Sequence, residues 1–142
     1  MRKTVGIGAA ALLCAAVTAQ AVEKDELARV GHGRVFYITN CASCHGPLGQ
    51  GTGGARGEPA QAHADLTRIA ERNDGRFDDL HVFQVIYGVY EVPSDRDRVM
   101  PVWGRVLARY QSRGDEWARA TCGNLVAYVK SIQTIPQQTY GR

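Results

Sequence analysis

The chain has 142 residues, 44% of them hydrophobic and 22% charged, enough for one domain with a modest core and too few for a large multidomain enzyme. Its formal net charge is +3. Without Arg2 and Lys3, which stand in a segment that export would remove, 15 basic residues face 14 acidic ones, and that balance offers no electrostatic footing for nucleic acid.

Residues 1–21 read as a signal peptide. Arg2 and Lys3 precede a weakly apolar run from Val5 to Val17, and Ala19-Gln20-Ala21 has the small-x-small pattern of a cleavage site. The run is rich in Ala and Gly and falls short of the roughly twenty strongly apolar residues of a membrane-spanning helix. The expected mature chain starts at Val22 in the periplasm, and Cys14 leaves with the signal. Three cysteines then remain, Cys41, Cys44 and Cys122. An odd number cannot all pair within one chain, so at least one is free, intermolecular or put to another use.

From Asp25 to Asn40, Leu27, Val30, Tyr37 and Ile38 recur at near-helical spacing and predict a helix that runs into the cysteines. Gly46 to Gly57 holds six glycines in twelve residues and predicts a loop. Asp65 is placed to cap a short helix that runs through Arg72 and stops at Asn73-Asp74-Gly75. Asp78 or Asp79 is placed to cap another, carrying Val82, Val85 and Ile86 up to Gly88. Residues 89–99 are polar and irregular. Pro101 suits the first turn of a helix whose Trp103, Val106, Leu107 and Tyr110 share a face. Asp115 opens the last helix, with Cys122, Leu125, Val126 and Val129 on one stripe. No alternating strand pattern of useful length appears, so the expected fold class is all-α, short helices joined by long loops. That architecture needs something other than side chains to fill its middle.

Cys41-Ala-Ser-Cys44-His45 supplies the chemistry. Three uses fit two thiols and an imidazole. A thioredoxin-like redox pair needs a βαβ context, which the helix-and-loop pattern lacks. Zinc needs a fourth ligand, from Cys122, His32, His63 or His81. Covalent haem attachment uses C-x-x-C-H as it stands: both thiols bind one porphyrin as thioethers and the imidazole ligates its iron. This use also explains the odd cysteine count and requires export. The sixth iron position then falls to Met100 in "VMPVWG", the single methionine of the mature chain, whose thioether favours ferrous iron and raises the potential.

With these residues the chain resembles the mono-haem class I c-type cytochromes, bacterial and periplasmic, over nearly all of residues 22–142 as one domain. Gly33 and Tyr37, eight and four residues before Cys41, are similar to the family's glycine and aromatic on its first helix. "NLVAYVKSIQ" resembles its last helix, whose aromatic, here Tyr128, is expected to cross over that glycine. "MPVWG" is similar to the axial-methionine loop of many bacterial members. The resemblance implies one covalent haem c held by Cys41, Cys44, His45 and Met100, with His45 and Met100 on the iron. It also implies a backbone carbonyl that receives a hydrogen bond from the proximal histidine, with Pro59 the candidate. The implied function is a periplasmic one-electron carrier and not an enzyme, with redox proteins as partners and no small-molecule substrate or nucleic acid. The alternative is a haem-bearing subunit of a membrane oxidase or periplasmic dehydrogenase, associated peripherally with such a complex. A third reading, an enzyme or gas sensor with an open sixth site, is the one that Met100 ligation opposes.

Other signals are weaker. Gly49-Gln-Gly51-Thr-Gly53-Gly54 fits the dinucleotide fingerprint G-x-G-x-x-G, but no strand precedes it and no helix opens from it. His32, His63 and His81 read as surface residues and Cys122 as a buried inert thiol. Arg105, Arg109 and Arg113, spaced by four, form a basic ridge that reads as a solvated face, with a docking surface as the alternative; Arg96 and Arg98 precede Met100.

Overall fold

A computed structural model describes residues 7–53, 64–89, 100–110 and 113–134. Among them every regular element is helical: α1 (Ile7–Asn40), α2 (Ala42–His45), two 3-10 turns (Leu66–Arg68 and Glu71–Asn73), α3 (Asp79–Tyr87), α4 (Trp103–Arg109) and α5 (Gly114–Ser131). The all-α expectation holds.

The frame is the crossing of α1 and α5. Gly33 makes it possible: a Cβ built there would lie 2.0 Å from the Asn124 carbonyl oxygen and 2.9 Å from Tyr128 Cβ. Two backbones meet at that distance only where one side chain is absent. One helical turn later the Tyr37 ring lies against Tyr128, centroids 5.0 Å apart, so the expected packing of Tyr128 over the glycine is present. Beneath the crossing, Ala118, Cys122, Leu125, Val126 and Val129 of α5 are all buried. All but Val129 belong to one cluster with Tyr37 of α1, Val82 and Ile86 of α3 and Leu107 of α4.

The helix before the cysteines is longer than its periodicity predicts. It starts at Ile7 and runs without a break through the segment read as a signal, where Ala is the commonest residue and no proline intervenes. From Val22 on, few of its apolar residues reach the core: Val22 is 71% and Leu27 67% exposed and Ile38 also faces out, while Tyr37 is buried and Val30 half-buried. No helix among the described residues is long and apolar enough to cross a membrane.

The helix predicted from Asp65 to Arg72 is two 3-10 turns instead, for a visible reason. In an α-helix the Ala70 N–H would donate to the Leu66 carbonyl. Here the side-chain amide of Gln133 occupies that rung: its oxygen accepts from Ala70 N (2.9 Å) and its nitrogen donates to Leu66 O (2.7 Å) and to Val129 O (2.8 Å). At the start of the segment the Asp65 carboxylate takes the Thr67 N–H and hydroxyl, at 2.9 and 2.6 Å. Asp78 caps α3 through His81 N, and Gly88 ends it at φ 90°, as the capping pattern predicts. α4 starts at Trp103, with Val102 rather than Pro101 at its N-terminal boundary. It is too short for the four-residue face predicted for it. Leu107 is buried, Trp103 is half-buried and Val106 is exposed, while Tyr110 lies past the helix end and stacks on Trp117 at 6.2 Å. α5 begins one residue before Asp115, with Asp115 and Glu116 in its first turn, where the helix dipole favours them.

Candidate haem site

α2 is a single turn that carries the cysteine motif on from α1. Cys41 N donates to Tyr37 O (2.8 Å), and His45 N to Cys41 O (2.9 Å), so Cys41, Cys44 and His45 share one turn. The turn is braced from outside. The Tyr37 hydroxyl donates to Gly46 O at 2.6 Å, Gly51 N donates to His45 O at 2.9 Å, and a Cβ at Gly53 would lie 2.5 Å from the Cys44 carbonyl. These contacts account for the glycine-rich loop. Gly51 N serves the cysteine turn and Gly49 N donates to Gly46 O, so the resemblance to a dinucleotide loop is one of spelling.

His45 Nδ1 lies 3.1 Å from the Ala64 carbonyl. A carbonyl only accepts, so Nδ1 carries the proton in this contact and Nε2 keeps the lone pair that a metal ligand needs. Among the described residues the carbonyl facing the histidine is that of Ala64, and the candidate Pro59 lies outside them. Ala64 precedes the segment that Gln133 anchors, and Leu66 N adds a bond to Gly49 O at 2.7 Å, so loop, histidine and α5 are tied together.

Cys41, His45 and Met100 line one cavity of about 600 Å³. Its wall is mostly aliphatic, with Leu66, Ile69, Val82, Val85, Ile86, Leu125 and Val129. Arg72, Asn73, Asp78 and His81 form its polar part. A volume of this size lies inside the range of roughly 300–1,000 Å³ for cofactor sites. A mostly aliphatic wall with one polar part suits an apolar group that carries a polar edge. Burial, then the Cys44 and Cys122 thiols, push the Cys41 thiol up to about 12. A thioether carries no charge and tolerates this burial. No group of three or more His, Cys, Asp and Glu side chains among the described residues is arranged to hold a metal ion. A covalently attached porphyrin fits the pair of thiols and the imidazole that share this turn.

Met100 reaches the cavity from the segment just before α4. Trp103 follows it on the same wall and meets Phe36 edge-on, centroids 5.5 Å apart. Of the spare histidines, His32 is exposed on α1, His81 stands exposed at the cavity's polar part, and His63 lies outside the described residues, as do Arg96 and Arg98. Cys122 is fully buried in the core, and burial pushes its thiol up to about 12, which matches the inert reading. Arg105, Arg109 and Arg113 are exposed, and the Arg113 guanidinium sits 5.3 Å from the centre of the Trp117 ring. Ala64 and Gln133 had no signal in the sequence, since one acts through its backbone and the other through a contact 67 residues away.

A family model described as Cytochrome c matches residues 30–133. Comparison with the curated proteins and with the solved structures gives no match.

Proposed function

The chain belongs to the cytochrome c family, whose members bind haem c covalently and transfer electrons, and on that premise we propose that it is an exported one-electron carrier with one haem c. In this reading Cys41 and Cys44 would hold the group as thioethers, and His45 and Met100 would ligate its iron. The carrying observation is the meeting of Cys41, His45 and Met100 on one aliphatic cavity.

The bound group supplies the redox couple. The chain's own residues set the conditions for it. His45 is oriented by the Ala64 carbonyl, which fixes its tautomer and raises its basicity. Met100 offers a soft donor that favours the reduced metal. Leu66, Ile69, Val82, Ile86, Leu125 and Val129 exclude water, so little solvent reorganises when the charge changes. In this reading the task is carrying electrons to and from protein partners, the role the cytochrome c family generally has. Export to the periplasm with cleavage after Ala21 belongs to the same reading; N-terminal sequencing of the secreted form is expected to begin at Val22.

Met100→Ala tests the ligand assignment. The variant is expected to keep its haem, to lower the reduction potential by on the order of 0.1 V, and to bind carbon monoxide readily when ferrous. An unchanged potential would remove Met100 from the site.

A further inference from the structure

Resting on that reading, we infer that Gly104 and Tyr87 form a clamp at the base of the loop that presents Met100, and that this contact, remote from the cysteine motif, sets whether the sixth position is closed.

α3 ends at Gly88 and α4 starts at Trp103. The chain on either side of the intervening segment touches at glycine distance twice. A Cβ at Gly104 would lie 2.7 Å from the Tyr87 carbonyl oxygen and 2.8 Å from two carbons of the Tyr87 ring, and a Cβ at Gly88 would lie 2.5 Å from Val102 Cγ1. Residues 87–88 and 102–104 are therefore pressed together, and Met100 stands two residues before one side of that contact. Tyr87 cannot easily yield. Its hydroxyl donates to the Asp115 carboxylate in the first turn of α5. The Arg119 guanidinium lies 5.0 Å from its ring centre, and Phe83 stacks on the ring at 5.3 Å. Asp115 in turn accepts from Arg119 at 2.6 Å, which closes the set.

An ordinary Cβ contact begins at 3.4 Å. A methyl on Gly104 would thus force the joined backbones apart by roughly 0.7 Å, four residues from Met100. Gly104 is a positioning residue: it touches no reacting atom, and it fixes where the thioether stands. The Tyr87 hydroxyl supports the same contact from α5.

The test uses the full haem-loaded chain. Carbon monoxide binding to the ferrous protein is measured at neutral pH, together with the reduction potential and helix content, for wild type, Gly104→Ala, Tyr87→Phe and Gly31→Ala. Gly31 is also helical, but a Cβ there meets nothing within 4 Å, so its variant is the control. The wild type and Gly31→Ala are expected to stay closed. Gly104→Ala is expected to bind the gas about tenfold more tightly than wild type, with a lowered potential and unchanged helix content. Tyr87→Phe keeps the ring and loses the anchor, and its affinity is expected to rise about threefold. It carries the test alone if Gly104→Ala does not accumulate as folded protein. A folded Gly104→Ala as closed as wild type overturns the clamp and leaves the Met100 assignment standing, as does an unchanged Tyr87→Phe where that variant stands alone. A wild type already open to the gas overturns the assignment and the clamp with it.

Discussion

The two walls of the cavity that carry the axial candidates are built by different physics. On the His45 side, side chain and backbone are held by directional bonds: the Ala64 carbonyl on Nδ1, Gly51 N on the His45 carbonyl, Tyr37 on Gly46, and the Gln133 amide behind the Ala64 segment. On the Met100 side the described contacts are steric, two glycines letting the ends of a loop meet at less than a side chain's width. The first wall is redundant, since losing one bond leaves the others. The second rests on two close approaches between the same short stretches of chain, so a change at either is expected to reach Met100. On the proposed reading a carrier would gain from that division, with a permanent attachment side and a sulfur side where the potential is adjusted.

Breaking the frame that both walls share is expected to have the largest effect. Gly33→Ala puts a methyl 2.0 Å from the Asn124 carbonyl and is expected to cost about 3 kcal/mol, read by urea unfolding, with both walls lost together. Gln133→Leu addresses the His45 wall alone. It leaves the buried Ala70 N–H and Leu66 carbonyl unpaired and is expected to cost about 2 kcal/mol. The ferrous protein should remain closed to carbon monoxide. If Gln133→Leu opens the sixth position, the two walls are not independent.

The His45 wall was far more legible in the sequence than the Met100 wall, and locality explains it. Cys41, Cys44 and His45 occupy one turn, so spacing alone brings them together. The caps at Asp78 and Gly88 and the stripe from Cys122 to Val129 are likewise contained in contiguous segments. The 3-10 form of residues 66–73 was not legible, because Gln133 breaks the Leu66–Ala70 rung from the far end of the chain. Nor was the role of Ala64, whose side chain carries no information about its carbonyl. Gly104 was visible only as part of "VWG"; its closeness to Tyr87 follows from tertiary packing. Periodicity overstated α4 because it assumes a helix long enough to present four residues, and this one ends at Arg109.

The core between the walls supplies a smaller, pH-dependent effect. Burial raises Cys122 from 9.0 to about 12, and burial with the neighbouring Cys41 and Tyr128 raises Tyr37 from 10.0 to about 12. Both groups are neutral when protonated, so the folded state holds its protons more tightly than the unfolded chain. Their contribution is complete below pH 9 and is lost as pH climbs from 9 toward 12. Stability measured by denaturant titration should fall across that window, and in the haem-loaded chain, where Cys41 is a thioether and does not titrate, Cys122→Ala should delay the onset from pH 9 toward pH 10. The smallest effect is expected at Gly31, exposed in mid-helix with open space around it. Gly31→Ala should stabilise by about 0.5–1 kcal/mol, read as a higher melting temperature, without moving the potential.

The most direct test of the central claim, one haem c fixed by Cys41 and Cys44, is the intact mass of the protein after export with the attachment machinery and denaturation in acid. The expected mass is that of the chain from Val22 plus one haem, with the visible absorbance staying on the polypeptide. A mass equal to the bare polypeptide, with colour lost to the solvent, would contradict it.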